Sequence, residues 1–267
     1  MTSLGSGRGI LYPARLPSFH RVPAPAELSE LVRWFWIPRW NLAPGRTSRQ
    51  ELLPFPASNL VVEPGGVSLV GPTTGVSHRD LRGRGWAVGA LLRPAGIASL
   101  RTAPTDIRDT HVPFDAPDLH HTVSAAMRDD DETAGRDRAV LACTEFWAAR
   151  ALTPPDEGGA LANAMEDLIA SDPSIVRVDQ VAQHLGISTR GVQRLAQRHV
   201  GLTPLAIIRR YRLQDAAQRL RNDPSATISQ VAAELGYADH AHLSTDFRRV
   251  LGFTPNSYRK GENAPSR

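Results

Sequence analysis

The stretch LGISTRGVQRLAQRHVGLTP, residues 185–204, returns at residues 235–255 as LGYADHAHLSTDFRRVLGFTP. A chain that repeats itself at a fixed offset forms the same supersecondary unit more than once, which removes most folds from consideration for this part of the molecule. The correspondence begins upstream of the quoted segments: Ile228, Val231, Ala232, Leu235 and Gly236 stand 50 residues after Val178, Val181, Ala182, Leu185 and Gly186. One residue is inserted in the second turn. Beyond it Leu243 matches Val192, Phe247 matches Ala196, and Gly252, Thr254 and Pro255 match Gly201, Thr203 and Pro204.

In the first copy Val178, Val181, Ala182 and Leu185 recur at helical spacing. Gly186 supplies the left-handed residue that ends a helix, and Ser188 can cap the next one. The pattern is a helix, a tight turn and a helix. On the second helix Val192, Leu195, Ala196 and Val200 fall inward, while Arg190, Gln193, Arg194 and Gln197 form one outward polar stripe. Arginine and glutamine make the paired hydrogen bonds that read guanine and adenine edges in the major groove. Between the copies, Thr203 as N-cap and Pro204 in the first turn start a helix, LAIIRRYRLQDAAQRLR. At 1.5 Å per residue it spans ~26 Å, so with a turn at each end it can hold two recognition helices about one 34 Å DNA turn apart. Charge follows the repeat. Residues 175–260 carry 13 basic against 6 acidic residues, a net +7 in a chain whose total is +4. An ordinary helical bundle with solvated arginines is the bland alternative, and duplication in register argues against it.

The segments VAQHLGISTRGVQRLAQRHVGLTP, RRYRLQDAAQRL and ISQVAAELGYADHAHLSTDFRRVLGFTPNSYR resemble the arabinose-regulator (AraC/XylS) family of bacterial transcription factors over about residues 158–260. The resemblance implies an all-α DNA-binding domain whose two recognition helices contact adjacent major grooves of double-stranded DNA. It also implies an N-terminal domain that senses a ligand or mediates association. A small-molecule effector at that domain, a contact with RNA polymerase and a homodimer are the further partners it leaves open. Carried over by position, base reading falls on Arg190, Gln193 and Arg194, with Gln197 on the same stripe. In the second unit it falls on His240, Ala241, Ser244 and Thr245, with His242 alongside. The sequence departs from the family in placing Thr245 where an arginine is usual and Ala196 where a core phenylalanine is usual. We therefore expect the first unit to supply most of the base readout, and the second to anchor through Arg248 and Arg249 on phosphates. His240 and His242 form an H-x-H, but residues two apart on a helix point about 200° apart and cannot share one metal ion. DNA contact or helix capping suits them better.

The remainder of the chain reads as α+β. Residues 1–112 carry short apolar segments (LVRWFWI, NLVVE, VSLVG, WAVGALL) between proline and glycine breaks, which predicts a β-rich sandwich or barrel, and the family resemblance implies a sensor or association role for it. Residues 113–157 read as a helical connector, residues 158–261 as the double helix-turn-helix domain, and residues 262–267 as a disordered tail. Trp34, Phe35, Trp36 and Trp40 read as β-domain core rather than as an effector pocket, with one or two rings exposed. The run DDDE at 129–132 reads as a solvated loop between helices. Cys143 stands alone, which excludes an internal disulfide and a multi-cysteine zinc site, and makes a DNA-repair alkyl-transfer enzyme sharing this tail a poor fit. GPTTG lacks the lysine of a phosphate-binding loop. We expect no enzyme activity, no metal and no cofactor. No run approaches the ~18 apolar residues of a membrane helix and no signal-peptide h-region is present, so we expect a cytoplasmic protein.

Overall fold

The computed structural model describes residues 18–260, with only the backbone of Glu51 and Leu52. The expected disordered tail at 262–267 lies outside the described residues. The N-terminal half is built on a seven-stranded antiparallel sheet ordered β1-β2-β8-β4-β5-β9, with β7 paired to β2. These strands are β1 (Ser18–Pro23), β2 (Val32–Asn41), β4 (Asn59–Glu63), β5 (Gly66–Val70), β7 (Arg84–Trp86), β8 (Val88–Leu92) and β9 (His111–Pro113). The strands β3 (Thr47–Leu52) and β6 (Ser77–Arg82) pair separately.

Alternation along the strands sorts the two faces. Phe35, Ile37, Leu60, Val62, Leu69, Val88, Ala90 and Leu92 point to one face, where helices α2 (Pro117–Met127) and α3 (Glu132–Ala148) cover them with Leu119, Val123, Met127, Cys143 and Trp147. Residues 113–157, expected as a connector, thus contribute two helices to the core of the β-domain. On the opposite face Glu63 pairs with Arg79 of β6, and Trp34 and Leu91 pack with Phe55 and Ala57 of the segment between β3 and β4. Val61 is accordingly buried as well, and β4 reads as a continuous apolar run because both of its sides are covered. In place of the expected sandwich or barrel there is one main sheet with helices on one face and the β3–β4 segment packed on part of the other.

The aromatic cluster divides by the same alternation. Phe35 is in the helix-covered core, and Trp34 is buried on the far face beside Ala57 and Leu91. Trp36 and Trp40 are half-buried, and donate their indole N–H to Asn59 Oδ1 at 3.0 Å and Arg82 O at 3.1 Å. Gly89 is required here, because a Cβ at that position would lie 2.1 Å from the Trp36 ring. In the acidic run, Asp131 caps α3 by accepting from the backbone of Thr133 and Ala134, while Asp129 pairs with Arg138.

Helix α1 (Pro94–Ser99) links the sheet to the C-terminal domain. That domain contains α4 (Glu157–Ser171), α5 (Val178–Leu185), α6 (Thr189–His199), α7 (Pro204–Asn222), α8 (Ile228–Glu234), α9 (His240–Leu251) and α10 (Pro255–Arg259). It has two separate cores. Met165, Ile169, Val181, Val192, Leu195, Ile207, Ile208 and Tyr211 form the first. Leu213, Leu220, Val231, Leu243, Phe247, Phe253 and Tyr258 belong to the second. Each buried aliphatic side chain contributes roughly 1.5–3 kcal/mol, so each core can hold its own three-helix unit around a shared α7.

Candidate nucleic-acid interface

The two units are built with the same backbone devices. Gln180 accepts from the backbone N–H of Arg177 at the start of α5, and Gln230 accepts from that of Thr227 at the start of α8, 50 residues later. Gly186 (φ +66°) and Gly236 (φ +70°) turn the chain through the left-handed region that glycine enters without strain. Ser188 then caps α6, accepting from Gly191 N at 3.1 Å, and Asp239 caps α9, accepting from His242 N at 2.7 Å. The capping role considered for His240 and His242 thus belongs to Asp239, whose short carboxylate reaches the orphan N–H that an imidazole on the first turn cannot. Both recognition helices end at a left-handed glycine, Gly201 (φ +78°) and Gly252 (φ +83°). Thr203 and Thr254 follow as N-caps, with Pro204 and Pro255 in the next first turn.

On α6, Arg190, Gln193 and Arg194 are exposed and Gln197 is half-buried beside them. Among the described residues none forms a side-chain hydrogen bond or ion pair with these four. They are held out by Val192, Leu195 and Ala196, which are buried on the opposite side of the helix.

On α9 the polar groups are partly engaged. His240, Ala241 and His242 are exposed on the first turn, with the His242 ring packed edge-on against Tyr237 at 5.4 Å. Ser244 is half-buried, and Thr245, though exposed, donates its hydroxyl to Ala241 O at 2.9 Å. Arg248 is exposed without a partner among the described residues, whereas Arg249 donates to Asp246 Oδ1 at 2.9 Å. Asp246 is buried and also pairs with Arg209 of α7 at 3.3 Å. It occupies the position of Leu195 in the first copy. An acid at an inward position of the repeat is the signal that reveals it.

A second set of polar residues ties the two domains together. Glu166 of α4 is 2% exposed; it accepts from Arg33 of β2 at 2.8 Å and from the Tyr211 hydroxyl at 2.6 Å. Burial first, and then the adjacent Glu166 charge, push the Tyr211 phenol well above its ordinary range, so it stays a donor. Asp167 pairs with Arg33 and Arg93. Buried Asn163 donates to Glu30 O at 2.9 Å and accepts from Ala95 N at 3.1 Å, satisfying an orphan donor of the first turn of α1. Arg210 of α7 donates to Thr73 O at 2.6 Å, and burial lowers its pKa to about 10. These residues are spread through the chain at no common spacing, so no local pattern in the sequence brings them together. Cys143 is buried, and desolvation raises its thiol to about 12, far from a reactive thiolate. Among the described residues no cluster of His, Cys, Asp and Glu could hold a metal ion, and no helix is long and apolar enough to cross a membrane.

Residues 181–261 match a family described as a helix-turn-helix domain. Residues 185–204 and 235–255 lie inside it. The HTH-type transcriptional activator RhaS of Escherichia fergusonii is 35% identical over 86 residues, which cover 32% of this chain and 31% of that protein. Over this region the chain is similar to AraC-type regulators. An AraC-like transcription regulator of Streptomyces lividans is 28% identical over 173 residues, covering 58% of this chain and 57% of that protein. Outside the AraC-type domain, residues 20–113 match a domain of unknown function, DUF6597. ToxT from Vibrio cholerae is similar over 85% of this chain and 98% of that one, at 11% identity and a TM-score of 0.46. The chain spans about a third of the length of RhaS and somewhat over half of the Streptomyces relative.

Proposed function

We propose that the protein is a sequence-specific DNA-binding transcription regulator, acting in the cytoplasm, that lays α6 and α9 in adjacent major grooves of one duplex. In this reading Arg190, Gln193, Arg194 and Gln197 reach base edges, and the N-terminal turn of α9 contributes His240, His242, Ser244 and Thr245. Arg248 and Arg249 hold phosphates. The observation that carries the proposal is the pair of in-register units with an unpaired Arg/Gln stripe on the outer face of α6. Four such side chains gain nothing from one another and are free to meet an external hydrogen-bonding surface. In this reading the β-domain modulates that binding in response to an effector or to a second copy, and its ties to α4 and α7 through Arg33, Glu166 and Tyr211 support a coupling between the two.

Footprinting on the DNA flanking the protein's own coding region tests this reading. One contiguous protected stretch of ~20 bp is expected for a monomer using both units, and a doubled stretch for a dimer. Binding that random DNA abolishes as effectively as the protected sequence would refute it, because phosphate contacts alone give no specificity ratio.

A further inference from the structure

The two helical cores of the C-terminal domain share α7, and beyond it the units approach one another at Val176, whose side chain a Cβ on Gly236 would meet at 2.6 Å. Ile207, Ile208 and Tyr211 belong to the first core, and Leu213, Ala216, Ala217 and Leu220 to the second. One helix leaves the tilt between the units to whatever else spans the junction. The segment that spans it comes from the β-domain: Leu53-Pro54-Phe55-Pro56-Ala57, between β3 and β4.

Leu53 is 2% exposed and lies in the second core with Leu213 and Phe247. Phe55 packs on the first core, its ring edge-on to Tyr211 at 6.3 Å. On its other side Phe55 meets Trp34 of β2, again edge-on, at 5.0 Å. Residues that precede proline are pushed toward extended backbone, and both Leu53 and Phe55 do so. In an extended segment residues two apart point the same way, roughly 7 Å from one another. The prolines also fix φ and limit the conformations available to the segment. The recognition-helix ends are steadied by the same domain. A Cβ on Gly201 would lie 2.8 Å from the backbone of Pro104, and one on Gly252 would lie 3.3 Å from the Val76 side chain.

We infer that Leu53 and Phe55 form a proline-stiffened strut, one side chain in each helix-turn-helix core, that fixes the separation and angle of α6 and α9 and so sets the half-site spacing the protein accepts. This rests on the DNA-reading assignment above. One extra base pair between half-sites rotates them by about 35° and moves them about 3.4 Å, an error a rigid pair of helices cannot absorb.

The test uses the full chain as the Leu53→Ala/Phe55→Ala double variant and, in case that one does not fold, the milder Pro54→Gly/Pro56→Gly variant, which keeps both apolar side chains. The first measurement needs no DNA: nitroxide labels at Thr189→Cys and Ala241→Cys report the distance distribution between the recognition helices, buried Cys143 being inaccessible to label. A narrow distribution is expected in the parent and a broadened one in both strut variants. The second measures affinity for a duplex selected by the parent from a random 30-bp library, with and without one inserted base pair. The insertion is expected to cost the parent about tenfold and the strut variants under about threefold. Unchanged distance distributions with an unchanged insertion penalty, in variants that still melt cooperatively, would overturn the strut. If the parent selects no duplex, the DNA assignment falls, and the label distances still decide whether the strut exists.

Discussion

The first helix-turn-helix unit and the second use the same turn glycines, the same threonine-proline starts and the same glutamine reaching back to the N-terminus of the leading helix, yet they are supported in different ways. The second unit carries its own aromatic core, in which Phe247, Phe253 and Tyr258 meet pairwise at 5.8 to 6.0 Å. The first has Ala196 where Phe247 stands, and its rings come from outside the unit: Tyr211 from the shared helix and Phe55 from the β-domain. Duplication has preserved what fixes the backbone and let the packing diverge. The difference extends to the outer face. The Arg/Gln stripe of α6 is free, whereas Thr245 and Arg249 of α9 spend hydrogen bonds on Ala241 and Asp246. Under the proposed DNA reading, the unit that borrows an aromatic ring from the β-domain is the one that reads bases, and the unit with its own rings, which takes only Leu53 from that domain, is the one that anchors.

The largest expected effect tests the aromatic core of the second unit. Phe247 is fully buried, so Phe247→Ala should cost ~3–5 kcal/mol in denaturant unfolding of the full chain. Ala196 is equally buried, and Ala196→Phe should instead overpack the first core at a cost of ~1–3 kcal/mol. A loss below ~1 kcal/mol for Phe247→Ala would mean the aromatic trio is not what holds the second unit. A gain in stability for Ala196→Phe would reveal a void, and the first core would then not be completed by Tyr211 and Phe55.

Dependence of the first unit on the β-domain is sharpened at Glu166. Its removal in Glu166→Ala takes one of two carboxylate partners from Arg33 and leaves the Tyr211 hydroxyl unpaired. Because Asp167 remains as a partner for Arg33, the cost should sit near the low end for a broken buried pair, about 3 kcal/mol. Hydrogen exchange locates the damage: amides of α4 to α6 should lose protection ahead of those of α8 and α9. Equal loss in both units would show that the domain interface supports the whole C-terminal half rather than one unit.

The repeat made the C-terminal fold legible because it is written in backbone chemistry. Glycines at left-handed positions, cap residues and proline in a first turn each dictate local geometry without help from distant contacts. The stripe of α6 was legible for the same reason, since helical spacing alone assigns it a face. What the sequence did not reveal depends on long-range packing. Nothing local to Leu53 or Phe55 says that they enter helical cores, and nothing local to α2 and α3 says that they lie on the sheet rather than connect domains. Asp246 is intermediate: alignment of the repeat places it at an inward position, but its partner Arg209 is supplied by a helix outside the unit.

The division between reading and anchoring makes a prediction of ~1–3 kcal/mol. Arg194→Ala should weaken binding to the preferred duplex by that amount and relax discrimination at one base position. Arg249→Ala should weaken all sequences alike and reduce the salt dependence by about one phosphate contact. Competition titrations against single-base variants of the preferred site, at two salt concentrations, separate the two behaviours. Equal loss of discrimination from both changes would abolish the contrast.

The smallest effect is a pH dependence confined to one unit. His199, in the last turn of α6, is buried against the start of α4, where a Cβ on Gly158 would lie 3.0 Å from its ring nitrogen. The corresponding residue in the second unit is Val250, which does not titrate. Burial lowers the His199 pKa below the ordinary 6.5; neighbouring Asp156 opposes the shift and Arg198 adds to it. A lowered pKa means that the unfolded chain takes up the proton first as pH falls. The contribution of neutral His199 is therefore complete above about 6.5, declines as the pH drops below that value, and stops declining once the pH has passed the lower folded-state value. Denaturant midpoints compared between about pH 7.5 and about pH 5.5, either side of the ordinary histidine pKa, should fall more in the parent than in His199→Val, which gives the first unit the residue that the second already has. A decline of the same size in both would place the acid sensitivity elsewhere and leave the two units alike in this respect.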